Sequence, residues 1–264
     1  MTKDTILQYL SESCPWQDSV LYYNSIDSTN TQAKVLAAQG APHGTVLIAD
    51  HQTGGRGRLG RSFLSPAGTG VYLSVILRPN CPPAGLMHLT CAVAAAMCGA
   101  VEKAARIRPS IKWTNDLVYQ GRKLAGILTE LGFGANGIVD YAVVGIGLNC
   151  CQQETDFPPE IRGMAGSLAM VSGESIDRSR VAAAMIEALC SMDLSKKAEM
   201  MDRYRADCIT LGKEISLVKA DGSIRYGKAI AIDDDGALVV RFPNGATETV
   251  NSGEVSVRGM YGYA

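Results

Sequence analysis

Nothing in the chain narrows the fold more than residues 138–149, Ile-Val-Asp-Tyr-Ala-Val-Val-Gly-Ile-Gly-Leu-Asn. The run is apolar almost throughout, with Asp140 its single charge. A strand of that length and character belongs at the centre of a sheet, covered on both faces. Partner strands read out at residues 45–50 and 71–77, the latter ended by Arg78-Pro79. Residues 111–119 read as a strand entering a turn. Gln120-Gly121-Arg122 closes a hairpin, and 123–131 is the return strand, with Gly126 leaving room beside it. Helices are expected over 4–13, over 31–39 ending at Gly40, over the apolar 86–105, over 178–192 behind Asp177, and over 194–207. Residues 152–172 read as irregular.

At Leu211-Gly212 the texture changes. Asp221-Gly222, Asp235-Gly236 and Asn244-Gly245 are turn signals between short strands at 215–218, 225–233, 238–242, 247–250 and 254–257. The chain thus divides into a larger domain over 1–210 and a small β-barrel over 211–264, near the lower size limit for independent stability.

A net charge of −1 argues against a general polyanion binder. No opening segment looks like a signal peptide, and the apolar run 91–101 is too short and too alanine-rich to demand a membrane. None of the eight cysteines forms a C-x-x-C pair, and His43, His51 and His88 have no metal-ligand spacing. Free thiols in a reducing cytoplasm are the expectation, and no metal site built from side chains.

Against this plain background stands Gly54-Gly55-Arg56-Gly57-Arg58-Leu59-Gly60-Arg61, with four glycines and three arginines in eight residues. No Asp or Glu lies between His51 and Val101. Glycines let the backbone approach a ligand, and arginines offer forked donors suited to phosphate or carboxylate. The loop is a candidate anion cradle. It also fits the G-x-G-x-x-G dinucleotide pattern, but a turn follows where a helix is required, and the downstream acid is missing. That reading is rejected.

Three further polar clusters stand at strand ends or turns: Ser28-Thr29-Asn30, Lys112 to Asp116, and Lys123 with Gly126. Each has a bland explanation as helix cap, solvated hairpin pair, core tryptophan or surface lysine. Together they collect anion-binding groups and one acid in a chain with few other grouped charges.

The order of these motifs closely resembles biotin protein ligases. The resemblance rests on residues 25–30 and 54–61, Lys112-Trp113-Thr114-Asn115-Asp116, Lys123-Leu124-Ala125-Gly126-Ile127-Leu128, Gly145-Ile146-Gly147-Leu148-Asn149 and the barrel-like tail. It covers roughly residues 20–260. It implies an α+β fold: a mixed sheet with flanking helices, as in class II aminoacyl-tRNA synthetases and lipoate ligases, plus a C-terminal SH3-like β-barrel. It implies an enzyme that makes biotinyl-AMP from biotin and ATP with Mg²⁺. Biotin then passes to a lysine of a biotin carboxyl carrier domain. A homodimer without nucleic-acid or membrane partners is expected. Some members carry an N-terminal winged helix-turn-helix; about 20 residues precede the first motif here, so a ligase without a DNA-binding arm is expected.

By the same resemblance, Ser28, Thr29, Asn30, Gln52, Gly55 and the backbone near Arg56 would hold the biotin head group, with Arg58, Lys123 and Gly126 also toward biotin. Arg58, Arg61, Phe63, Lys112, Asn115 and Asn149 would hold the nucleotide. Phe63 stands where an aromatic, often Trp, stacks on adenine. Arg58, Lys112, Lys123 and Asp116 would carry the chemistry. With no Asp/Glu cluster, Mg²⁺ is expected on phosphates and water, with at most one carboxylate. Two alternatives stay open: a lipoate-type ligase on the same fold, and a non-catalytic nucleic-acid-binding module.

Overall fold

The structure is a computed structural model. It describes residues 1–134, 136–219 and 222–251, and the backbone of 255–259. Seven strands form a mixed sheet: β1 (Val20–Tyr23), β2 (Thr45–Ala49), β3 (Gly70–Leu77), β4 (Ser110–Lys112), β5 (Asp116–Tyr119), β6 (Arg122–Phe133) and β7 (Val139–Asn149), in the order β1-β2-β3-β7-β6-β5-β4. Only β1 and β2 run parallel; every other neighbouring pair is antiparallel. The apolar run ending at Asn149 is the central strand. Burial on both sides explains why it does not alternate.

The helices are α1 (Lys3–Leu7), α2 (Thr29–Ala38), α3 (Leu89–Ala105), α4 (Leu168–Ser172), α5 (Arg178–Cys190) and α6 (Lys197–Asp207). Val71, Leu73 and Val75 of β3 join α3 and α5 in the main core, while Ile76 and Val143 meet Ala33 and Ala37 of α2 on the opposite face. The stretch Pro83–Ala105 is long and apolar enough to cross a membrane, but two-thirds of its most apolar 18-residue window is buried in this core. The eight cysteines are free thiols. Burial pushes Cys91 and Cys98 up to about 12, which keeps them as inert thiols.

A second, five-stranded antiparallel sheet holds β8 (Glu214–Lys219), β9 (Ile224–Ile232), β10 (Leu238–Arg241), β11 (Thr247–Val250) and β12 (Val255–Gly259), in the order β11-β10-β9-β8-β12. It is tied to the first through Trp113, whose indole N–H donates to Gly236 O at 2.9 Å and whose backbone N–H donates to Thr210 Oγ1 at 2.9 Å. The expected turn residue Asp221 and strand residue Glu254 lie outside the described residues.

Some boundaries differ from expectation for local reasons. The first helix stops at Leu7 rather than Ser13, because Ser11 N–H turns to Glu187 Oε1 at 2.8 Å. The second begins at Thr29, with Ser28 as its cap. The four residues of β1 carry no alternation and exist by pairing with β2. Within the stretch read as irregular, Ser167 caps α4, its hydroxyl accepting from Met170 N–H at 3.2 Å.

Candidate functional site

The sheet opens a trough where glycines of β6 and β7 meet. Gly126 pairs with Gly147, and Leu128 with Gly145, so the three glycines share one face. A Cβ at Gly145 would stand 1.9 Å from Asn30 Oδ1, and one at Gly147 would stand 2.4 Å from the Phe63 ring. At Gly126 it would come within 3.3 Å of Lys123 Nζ. Missing side chains thus let polar and aromatic groups settle directly onto the strands, around a cavity of about 500 Å³.

One end is lined mainly by neutral polar side chains. Ser28, Thr29 and Asn30 are buried at the start of α2. Gln52 Oε1 accepts from Thr29 N–H at 2.9 Å and from its hydroxyl at 3.1 Å. Gln52 Nε2 donates to Ser65 Oγ at 2.9 Å, and Ser65 donates to Phe63 O at 3.1 Å. The Ser74 hydroxyl, on β3, lies 2.8 Å from Thr29 Oγ1 and 2.6 Å from Asn30 Oδ1. Asn30 Nδ2 donates to Glu130 Oε2 at 3.1 Å.

The other end is cationic. Lys123 Nζ pairs with Asp116 Oδ1 at 2.7 Å across the β5–β6 hairpin. Arg58 Nη1 donates to Asn115 Oδ1 at 2.6 Å, joining the Gly/Arg loop to the β4–β5 turn. Burial pulls the Arg58 guanidinium below its usual range, opposed by the Asp116 carboxylate; it stays a cation. Arg61 and Lys112 also line this space, and Asp116 is its one lining acid among the described residues. Asn115 Nδ2 donates to Ile127 O at 2.9 Å, which aims its oxygen at Arg58. Among the described residues no three of His, Cys, Asp or Glu cluster to hold a metal.

Of the residues singled out from sequence, Ser28, Thr29, Asn30, Gln52, Arg56, Arg58, Arg61, Phe63, Lys112, Asn115, Asp116, Lys123 and Gly126 come together around this one cavity. Gly55 and Asn149 are not on its wall. A Cβ at Gly55 would stand 2.3 Å from Phe63 O, so this glycine closes the neck of the loop. Asn149 Nδ2 donates to Gly166 O at 3.0 Å and its Oδ1 accepts from Gln152 at 3.0 Å. It thereby fastens the segment that brings Ile161 and Met164 to the cavity.

Sequence reasoning missed Ser74, Glu130, Lys34 and Met164. A lone serine in an otherwise apolar strand was the available signal for Ser74, and a lone acid in the return strand was the signal for Glu130. Glu130 accepts from Lys34 Nζ at 2.7 Å and lies 3.8 Å from Arg56 Nη1. Burial by itself would raise its carboxyl. Hydrogen bonds from Lys34 and Asn30, with the charges of Lys34 and Arg56, outweigh that and hold it below the usual carboxylate range. A depressed folded value means its stabilisation is complete above the unfolded-chain value and fades as pH falls through the folded one. Glu130→Gln is therefore expected to lower Tm at pH 7. The gap from wild type should narrow below about pH 4.5, and a constant gap down to pH 3 in thermal melts would contradict this.

Residues 22–149 match the model of the biotin/lipoate A/B protein ligase family, and residues 210–258 match that of the biotin protein ligase C terminal domain. The bifunctional ligase/repressor BirA of Bacillus subtilis is 36% identical over 234 residues, 86% of this chain and 70% of that protein. The biotin--[acetyl-CoA-carboxylase] ligase of Mycobacterium tuberculosis is 33% identical over 236 residues, 86% of this chain and 85% of that one. Among solved structures, the biotin protein ligase of Aquifex aeolicus in complex with biotin and ATP has a TM-score of 0.77 and 31% identity. That likeness covers 91% of this chain and 98% of the other.

Proposed function

The chain belongs to the biotin/lipoate A/B protein ligase family, and from that membership we propose that it is an ATP-dependent biotin protein ligase. The observation that carries the reading is the two-ended cavity: a neutral polar head at Thr29, Asn30 and Gln52, and a cationic end at Arg58, Arg61, Lys112 and Lys123. Biotin has a neutral cyclic urea at one end and a carboxylate at the other. A glycine trough between the two suits a slim aliphatic chain.

A carboxylate is a poor electrophile, so it must first become a mixed anhydride. One carboxylate oxygen attacks the α-phosphorus of ATP, the bond to the β-phosphate bridge breaks, and pyrophosphate leaves. Two anions must meet, and the repulsion is screened by fixed cations. Lys123 steers the biotin carboxylate, and Arg58, Arg61 and Lys112 face the phosphates. Phe63 offers the adenine an aromatic face, and Asn115 sits beside the reacting groups. In the second step a neutral lysine amine of a biotin carboxyl carrier domain attacks the acyl carbon. AMP leaves, and Asp116 takes the proton or orients the amine. Asp116 alone among the lining residues offers carboxylate oxygens. That donor set fits a Mg²⁺ ion carried in by the nucleotide and held by one protein carboxylate. Such an ion would supply further charge screening at the phosphates.

The domain division proposed is 1–210 and 211–264, the second unit holding no biotin contact. Its part is to steady the 113–116 turn, where Gly236 accepts from the Trp113 indole N–H. Tyr204 on α6 adds a bond to Thr114 O at 3.1 Å. A homodimer working in a reducing cytoplasm completes the proposal; free thiols suit that compartment.

Biotin is expected to drive Mg²⁺-dependent exchange of pyrophosphate into ATP, and lipoate should not. Exchange with lipoate alone would move the assignment to the lipoate branch of the family. Exchange with neither would sink the ligase reading.

A further inference from the structure

The polar end of the cavity is one continuous chain of hydrogen bonds, and Ser74 and Glu130, which orient Asn30 within it, lie outside the cavity wall. Glu130, ionised and an acceptor only, forces Asn30 to turn its Nδ2 outward, where it donates to Glu130 Oε2 at 3.1 Å and Leu128 O at 3.4 Å. Asn30 Oδ1 is thereby left for Ser74, at 2.6 Å. Glycine at 145 makes room for this arrangement, since a Cβ there would come within 1.9 Å of Asn30 Oδ1. Ser74 is wholly buried and has one proton to share between Asn30 Oδ1 and Thr29 Oγ1. Thr29 donates twice to Gln52 Oε1, which turns Gln52 Nε2 toward Ser65. Each group's orientation follows from its neighbour's, beginning at a carboxylate that Lys34 and Arg56 keep charged.

We infer that Ser74 and Glu130 are positioning residues that fix the donor–acceptor pattern of the head-group pocket, and so select a cyclic urea over rings of equal size with another pattern. The inference rests on biotin being the ligand. A buried site whose polar groups cannot reorient leaves some of them unpaired when the wrong ring enters, and that penalty is where discrimination comes from. A pocket of freely turning amides would adapt instead and discriminate little. Arg56 brings the Gly/Arg loop into the same chain, so the head group and the loop are read together.

The test uses Glu130→Gln and Ser74→Ala in the full-length protein. Glutamine keeps the shape of Glu130 but donates as well as accepts, so Asn30 is freed to flip. Alanine removes the hub without adding volume. Calorimetry measures Kd for biotin, for 2-iminobiotin (an imino group in place of the ureido oxygen), and for a non-hydrolysable ATP analogue. Both variants are expected to weaken biotin about tenfold. The preference for biotin over 2-iminobiotin should shrink, with the ATP analogue unchanged within about twofold. Unchanged affinities, or equal losses for both rings with the preference intact, would overturn the inference. The substitutions flank Asn30 from different strands, so if one protein misfolds the other decides. If wild-type protein binds no biotin, the ligase reading falls and takes this one with it. If it binds biotin and the variants keep its preference, only the positioning role falls.

Discussion

Lys123→Ala is expected to slow biotinyl-AMP formation by about 100-fold or more, while biotin binding weakens far less. A charge-assisted contact to a carboxylate contributes about 1.5–3 kcal/mol, or roughly 10- to 150-fold. In the first step that contact brings one anion against another, so more of it is felt in the transition state than in the ground state. A second loss adds to it. The Asp116 side chain is 16% exposed and paired to Lys123 at 2.7 Å. Without Lys123 the carboxylate stands beside the incoming phosphates as a less well screened like charge. Glycine at 126 makes the geometry tight: a Cβ there would lie 3.3 Å from Lys123 Nζ and 3.6 Å from Asp116 Oδ1. Pyrophosphate exchange gives the rate and calorimetry the affinity. Asp116→Asn combined with Lys123→Ala should recover part of the loss if the stranded charge matters. Exchange in Lys123→Ala near the wild-type rate would remove Lys123 from the chemistry.

How much of this was legible in the sequence follows from what carries each feature. The central strand was plain because it is buried on both faces, and its composition says so without any partner. The second sheet was plain because tight turns need Asp-Gly and Asn-Gly. The Gly/Arg loop stood out because glycines and arginines without a nearby acid are unusual, and the other wall residues were legible through the resemblance of their motifs to biotin protein ligases. The four-residue β1 was not, since a strand that exists by pairing with β2 leaves little local trace. Ser74 and Glu130 were hidden for a different reason. Each is unremarkable in its own strand, and both matter because β3 and β6 flank β7 and bring them onto the same face as Asn30. Asn149 shows the reverse: its place in a motif is conspicuous, yet its amide is engaged by Gly166 and Gln152 behind the wall.

Arg58→Gly is expected to release biotinyl-AMP at least tenfold faster and to cause labelling of bystander lysines, with partial adenylation activity remaining. The intermediate reacts with any amine and with water, so it must be held until the carrier domain docks. Its phosphate keeps one negative charge after pyrophosphate departs. Arg58 fastens the loop to the β4–β5 turn through its 2.6 Å bond to Asn115, and it lies among glycines that cost much entropy to order. A bound phosphate beside Arg58 offsets that cost and keeps the loop down. Glycine at 58 removes the fork, the bond to Asn115 and one more restraint on the backbone together. Lys123 and Asp116 face each other across the hairpin, on strands rather than on the loop, so the first step survives in part. Loss of retention thus separates from loss of formation, opposite to the Lys123→Ala pattern. The off-rate of preformed biotinyl-AMP, measured beside labelling of an unrelated protein such as albumin, reads both effects. An unchanged off-rate with no bystander labelling would show that Arg58 does not retain the intermediate.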